Sequence, residues 1–212
     1  MLILIPLKVS RIIKFYLCLC NGLVKYNKAI EFAKNKFHIY RIDLKKSINP
    51  TLYRYILPVV TQNCTKEDLD FLINQYTRSK SANEKITILT GLGNINKNNN
   101  PEYIINYAIT NIEVHVQQYI MESLTENCDI CEMIWDIFIL NFKNLMIRYN
   151  SNVHFARLLH IIGKKIYEQN KYTQLKDLIK KHKICEKYFV IKQMYEQIEL
   201  NIKIQQNITF FD

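Results

Sequence analysis

Trp135-Asp136-Ile137-Phe138-Ile139-Leu140-Asn141-Phe142-Lys143-Asn144-Leu145-Met146-Ile147-Arg148-Tyr149 decides the fold class. Trp135, Phe138, Ile139, Phe142, Leu145, Met146 and Tyr149 recur at steps of three and four, the spacing that puts apolar side chains on one face of an α-helix. No glycine or proline interrupts the run. One ring on so long a stripe is core, so Trp135 is expected to be buried, its indole N–H seeking a partner.

The same period recurs on both sides. Ile12, Phe15, Leu19 and Leu23 form one stripe, and Ala29, Ile30, Ala33 and Phe37 another. Leu69, Leu72 and Tyr76 follow Thr65, an N-cap with Asp68 three residues on. Phe155, Leu158, Leu159, Ile162 and Ile166 repeat the pattern, then Leu175, Leu178, Ile179 and His182. The last helix is expected through Ile184, Tyr188, Ile191, Ile198 and Ile202. Asn83 to Gly93 reads as a helix with Glu84 at its start, favourable to the helix dipole, and a glycine near its end. Pro58 should kink or split the helix Pro50–Gln62, because it removes a backbone donor and clashes one turn back. Asn94 to Asn100 reads as an exposed loop, and Pro101 suits the first turn of the next helix. No stretch alternates as a strand. With only four glycines and four prolines, tight hairpins are scarce. The expected fold is all-α: stacked antiparallel helical hairpins, a HEAT-like α-solenoid, with a compact bundle as the other arrangement open to such helices.

Composition removes several function classes. At 49% hydrophobic and 12% aromatic, the chain has too much apolar surface for a disordered tail. The net charge of +10 raises nucleic acid or an anionic membrane as partners. Lys, Asn, Ile and Tyr are abundant together, however, and the densest basic stretch, Lys164 to Lys192, is interleaved with Glu168, Asp177 and Glu186, which reads as a solvated face. The six cysteines stand at 18, 20, 64, 128, 131 and 185. Cys18-x-Cys20 is one residue too close to pair with Cys128-x-x-Cys131 as zinc knuckles, so free thiols in a reducing compartment, the cytoplasm, are expected. The sequons at Asn63 and Asn207 are too short a pattern to argue secretion in so Asn-rich a chain. Met1 to Leu7 is apolar but broken by Pro6, too short for a signal peptide or membrane span. It reads as the start of a helix whose first half lies outside the chain. The five histidines, His38, His115, His154, His160 and His182, nowhere form H-E-x-x-H, so no catalytic or metal-ligating residue is expected.

Several segments, in order, carry a resemblance. Asn83-Glu84-Lys85-Ile86-Thr87-Ile88-Leu89-Thr90-Gly91-Leu92-Gly93 resembles an E-K-x-x-x-L-x-A-L-G segment in the C-terminal helical domain of the gluzincin zinc aminopeptidases, the family of puromycin-sensitive aminopeptidase, aminopeptidase N and the endoplasmic reticulum aminopeptidases. Asn127 to Trp135 is similar to N-x-x-G-x-x-x-x-W, and Asn141 to Leu145 to N-W-x-x-L. Glu196-Gln197-Ile198-Glu199-Leu200-Asn201-Ile202 resembles a closing E-x-I-x-x-N-I helix. Upstream, Ala29 to Phe37 and Asn49 to Leu52 fall where the family has an A-x-x-x-F helix and a P-D-L-R start. The matching positions are Glu84, Lys85, Leu89, Gly93, Gln117, Asn127, Trp135, Asn141, Glu196, Ile198 and Asn201. The chain departs from the pattern at Tyr53 for the P-D-L-R arginine, at His115 and Gln118 in V-R-x-Q-D, at Ile130 for glycine and at Phe142 for tryptophan.

The resemblance implies a helical domain over residues 11–206, with 1–10 a ragged start and 207–212 a tail. It implies the lid and substrate-cavity domain of a metallo-aminopeptidase that removes N-terminal residues from peptides. In that family a catalytic domain carries G-x-M-E-N for the peptide amino terminus and H-E-x-x-H for zinc, which activates water. This chain would then be a fragment or split piece, without zinc and inactive alone, whose partners are that catalytic domain, in cis or as a separate chain, and the peptide. The alternative is a catalytically inert helical scaffold binding protein or nucleic acid. Strongly salt-dependent association with RNA would favour it.

Overall fold

Short polar side chains set the helix starts. Thr65 takes an extended backbone, its hydroxyl accepts the Asp68 N–H at 3.3 Å, and the Asp68 carboxylate accepts the Thr65 N–H at 3.0 Å. Two backbone donors that the helix cannot satisfy are thus paired reciprocally, with Asp where Glu or Gln is usual. Ser81 caps the next helix in the same way, accepting the Glu84 N–H at 3.3 Å.

The computed structural model describes residues 27–43, 50–150, 153–184 and 188–208. Among them the helices are α1 (Asn27–Ile42), α2 (Pro50–Gln62), α3 (Lys66–Arg78), α4 (Ala82–Leu92), α5 (Pro101–Thr110), α6 (Gln117–Glu126), α7 (Cys131–Tyr149), α8 (Val153–Gly163), α9 (Gln169–Lys181) and α10 (Phe189–Ile208). A 3-10 turn, Cys128–Ile130, joins α6 to α7, and no strand occurs among the described residues. The fold is all-α, with solenoid-like helix stacking. The chain forms two compact units, Met1–Pro101 and Glu102–Asp212.

In the first unit α2 lies against α4, its neighbour but one in sequence, while α1 packs on α2 and α3 on α4. Neighbours-but-one in contact are the mark of stacked hairpins. Gly91 permits the approach: a Cβ there would stand 2.6 Å from the Leu57 Cβ, inside van der Waals contact. The same closeness lets the buried Thr61 hydroxyl reach the Gly91 carbonyl at 2.7 Å. One hydroxyl has one proton, and this contact is shorter than those to the Leu57 and Pro58 carbonyls of its own helix, 3.0 and 3.2 Å. The interhelix bond is the better one.

The second unit repeats the scheme, α8 packing against both α6 and α10. Here Gly163 faces the Met194 side chain, whose Cγ and Sδ lie 2.6 Å from where a Cβ would sit. Phe138, Phe142, Phe155 and Tyr149 form a chain of rings through the core, with successive centroids 5.6, 5.6 and 5.7 Å apart. Arg148, near the end of α7, donates to the Ile109 carbonyl in the last turn of α5 and to the Ile112 carbonyl just past it. The Ile109 carbonyl, in the last turn, has no acceptor role left inside its helix, so the guanidinium serves as a cap from outside.

Several expectations change. Helix α2 runs through Pro58 unbroken. The interior penalty of about 3 kcal/mol is outweighed because Ile56, Leu57, Val59 and Val60 are all buried, each contributing about 1.5–3 kcal/mol. Gly93 has φ −67°, so it does not end α4 in a left-handed turn. Ile184 belongs to no helix. Lys183, at φ 51°, ends α9, with the Ile184 N–H bonded to the Ile179 carbonyl and that of Lys183 to Lys180, a Schellman closure made without glycine. The loop Asn94 to Asn100 is not wholly exposed, because Ile95 is fully buried and pins it down. On α7, Ile134 and Ile137 are buried, whereas Ile139 and Met146 are half-exposed. Ile12, Phe15, Leu19, Leu23, residues 1–10, Cys18, Cys20 and Cys185 lie outside the described residues.

Replacing Gly91 with alanine should gain up to about 1 kcal/mol of helix propensity but cost about 1–3 kcal/mol of overpacking against a Cβ fixed to the α2 backbone. Net destabilisation is expected in urea unfolding. Gly163→Ala should cost less, since a methionine side chain can swing away. Equal costs would show that the backbone approach in the first unit is not the tighter constraint.

Candidate functional site

The family-matching positions do not converge on one site. Leu89 and Ile198 are fully buried core residues, and Trp135 is buried with its ring 6.3 Å from Phe138. Glu84 accepts the Ser79 hydroxyl at 2.6 Å and the Tyr40 hydroxyl at 3.1 Å, tying α4 to α1. The Lys85 ammonium lies 5.3 Å over the Tyr76 ring. Gly93 carries on the α4 hydrogen-bond ladder to Leu89. Gln117 is fully buried; its carbonyl accepts the Tyr149 hydroxyl, while its amide nitrogen has no partner. Asn127 ends α6 and starts the 3-10 turn, its side chain accepting the Asp129 N–H at 3.3 Å. The Asn141 amide folds back on the Ile137 carbonyl one turn earlier at 2.8 Å. Asn201 is buried and fully used: its amide donates to the Lys164 and Ile166 carbonyls at 2.9 and 3.1 Å, and its oxygen accepts from Gln197 at 2.8 Å. It holds α10 to the turn that follows α8.

Only Glu196 of this set faces open space with other polar groups beside it. Gln193, Glu196, Gln197 and Leu200 fall three and four residues apart along one edge of α10, and with His160 of α8 they line an open cleft of about 410 Å³. Burial pushes the His160 imidazole below its ordinary value, Lys164 and Arg157 push it further down, and Glu122 opposes them. The cleft therefore offers a neutral imidazole, two amides, a carboxylate and one apolar side chain, groups able to hydrogen-bond an extended peptide and pack one side chain. His160 went unmarked in the sequence because its role depends on Gly163 bringing α10 close. The alternation of polar residues at 193, 196 and 197 was the available signal.

A smaller niche of about 30 Å³, room for one water, lies against Trp135, Thr125, Cys131, Lys165 and Lys171. Around it the charges are paired: Glu126 with Lys164 at 3.3 Å and Lys165 at 3.1 Å, and Lys171 with Glu132 and, at 2.8 Å, Glu168. Burial opposes ionisation of Glu126, but hydrogen bonds and charge from the two lysines outweigh it and hold the carboxyl below its ordinary value. Part of the basic surface is thereby neutralised within the unit.

Among the described residues no three His, Cys, Asp or Glu side chains cluster to hold a metal ion. Cys64, Cys128 and Cys131 are free thiols. These residues do not fit a zinc centre. No described helix is long and apolar enough to cross a membrane.

A family model described as ERAP1-like C-terminal domain matches residues 13–200. The chain belongs to this family. The matched residues lie in both units. It is the C-terminal domain of an aminopeptidase family. No curated protein matches the chain.

Two outcomes test the site's construction. The folded His160 takes its proton at lower pH than the ordinary 6.5, so the unfolded chain binds it first on acidification. The stability held by the neutral ring is complete above that value and is lost as pH falls through the folded one. Urea midpoints should drop between pH 7.5 and 5.5, and His160→Gln should remove that part of the slope. A slope unchanged in the variant would count against it. Asn201→Ala should cost about 1–3 kcal/mol by stranding two carbonyls, with a matching fall in thermal midpoint.

Proposed function

We propose that this ERAP1-like domain is the helical lid and substrate-cavity domain of a zinc metallo-aminopeptidase that removes N-terminal residues from peptides. The observation that carries the reading is the family match over residues 13–200 of an all-helical chain. The domain spans residues 11–206, and the chain is a fragment or split piece of the enzyme. The catalytic domain, in cis or as a separate chain, holds the zinc and supplies the water-activating chemistry. This chain contributes binding surface. In the α8–α10 cleft Glu196, Gln193 and Gln197 offer hydrogen bonds to a peptide's backbone, His160 gives a neutral ring and Leu200 an apolar contact. Within the same unit the matching core residues Trp135, Ile198 and Asn201 help hold the helices that present this surface, while Leu89 belongs to the core of the first unit. Free thiols at Cys128 and Cys131 suit a reducing compartment, and we place the protein in the cytoplasm.

The purified chain should not hydrolyse aminoacyl amides with or without added zinc. Mixed with a catalytic domain of this family bearing G-x-M-E-N and H-E-x-x-H, it should bind and raise turnover of peptides of several residues. Zinc-dependent, chelator-sensitive hydrolysis by the chain alone would refute the reading. So would failure to associate at micromolar concentrations.

A further inference from the structure

The joint between α6 and α7 gathers two thiols and the chain's single tryptophan. Asn127 stops α6, and Cys128–Ile130 form one 3-10 turn before α7 begins at Cys131. In a 3-10 turn side chains three residues apart eclipse one another, so Cys128 and Cys131 stand on the same side of the joint. Their contacts agree. The Cys128 thiol is 4.0 Å from the Glu126 carbonyl, and the Cys131 thiol is 3.3 Å from that of Asn127 and 3.7 Å from that of Thr125, three successive carbonyls of one turn. Cys128 is exposed and Cys131 half-buried, the order of access suited to an attacking and a resolving thiol. Cys64 differs: it is buried and donates to the Thr61 carbonyl at 3.1 Å, and burial, then Asp68, push its thiol up to about 11.

We propose that Cys128 and Cys131 form a dithiol modification site that takes a low-molecular-weight disulfide as oxidant and closes reversibly into a disulfide across the α6–α7 joint. The Cys128 thiolate attacks one sulfur of the small disulfide, forming a mixed disulfide and releasing one small thiol. The Cys131 thiolate then attacks the Cys128 sulfur, releasing the second small thiol and leaving the intramolecular bridge. The protein loses two protons and two electrons, and the small disulfide takes both up as two thiols. Burial, then the neighbouring Cys128, hold the Cys131 thiol above its ordinary value, and Lys165 opposes them. Trp135 lies one turn beyond Cys131 and lines the same niche, so it senses closure directly.

The folded full chain is incubated with oxidised glutathione, then digested and mapped by mass. The expected product is a peptide bridged at Cys128 and Cys131, lighter by two hydrogens, carrying no glutathione, with a change in Trp135 emission that dithiothreitol reverses. Cys131→Ser should retain one glutathione on Cys128, and Cys128→Ser should slow modification of this peptide at least about tenfold. Both variants are checked for unchanged helical circular dichroism. A wild-type chain that keeps glutathione on Cys128 without bridging, bridges only after unfolding in urea, or leaves both thiols unmodified would overturn the proposal. None of these outcomes bears on the aminopeptidase reading.

Discussion

The approach of α4 to α2 at Gly91 is the contact on which the first unit depends. With a side chain absent there, the two helices come close enough for Thr61 to bond the Gly91 carbonyl across the interface. Had the helices stood further apart, that hydroxyl would be buried without an interhelix partner, and Ile56, Leu57, Ile88 and Leu92, all fully buried, would face gaps. A helix-interior glycine costs about 1 kcal/mol against alanine. The packing it allows is larger. Gly163 plays the same part between α8 and α10, with a methionine rather than a fixed backbone atom opposite.

Around these apolar contacts, a few buried polar groups fix which helix ends meet. Asn201 satisfies two carbonyls beyond α8, and Arg148 one in the last turn of α5 and one just past it. Such brackets matter more than their net energy suggests, because an unpaired buried carbonyl is costly and wrong pairings are thereby excluded. At Tyr53, where the resembled pattern has arginine, the ring packs 5.1 Å from Tyr40, whose hydroxyl donates to Glu84. An aromatic pair and a hydroxyl thus occupy this position. Phe142, in place of tryptophan, is wedged between Phe138 and Phe155 and keeps the core filled.

Most matching positions thus describe how the helices are held rather than what the surface binds. The polar edge of α10, the neutral His160 and the thiols at the α6–α7 joint lie at margins of the packed rows, where side chains have room to meet something else. Function in such a domain resides in the surface that the stacked helices present.

Helix content, the cap at Thr65 and the buried stripe of Trp135, Phe138, Phe142 and Tyr149 were legible because each follows from neighbours within a few residues. So was the family, carried by short segments in order from Glu84 to Asn201, and with it the absence of H-E-x-x-H from the chain. The sequence by itself determined which stretches are helices and which faces they must hide. Only tertiary structure decided that α2 would run through Pro58 and that His160 would share a cleft with Glu196. Those outcomes turn on which distant surface each residue meets. Local spacing fixes the direction a side chain faces, but the free energy of burial depends on what lies opposite.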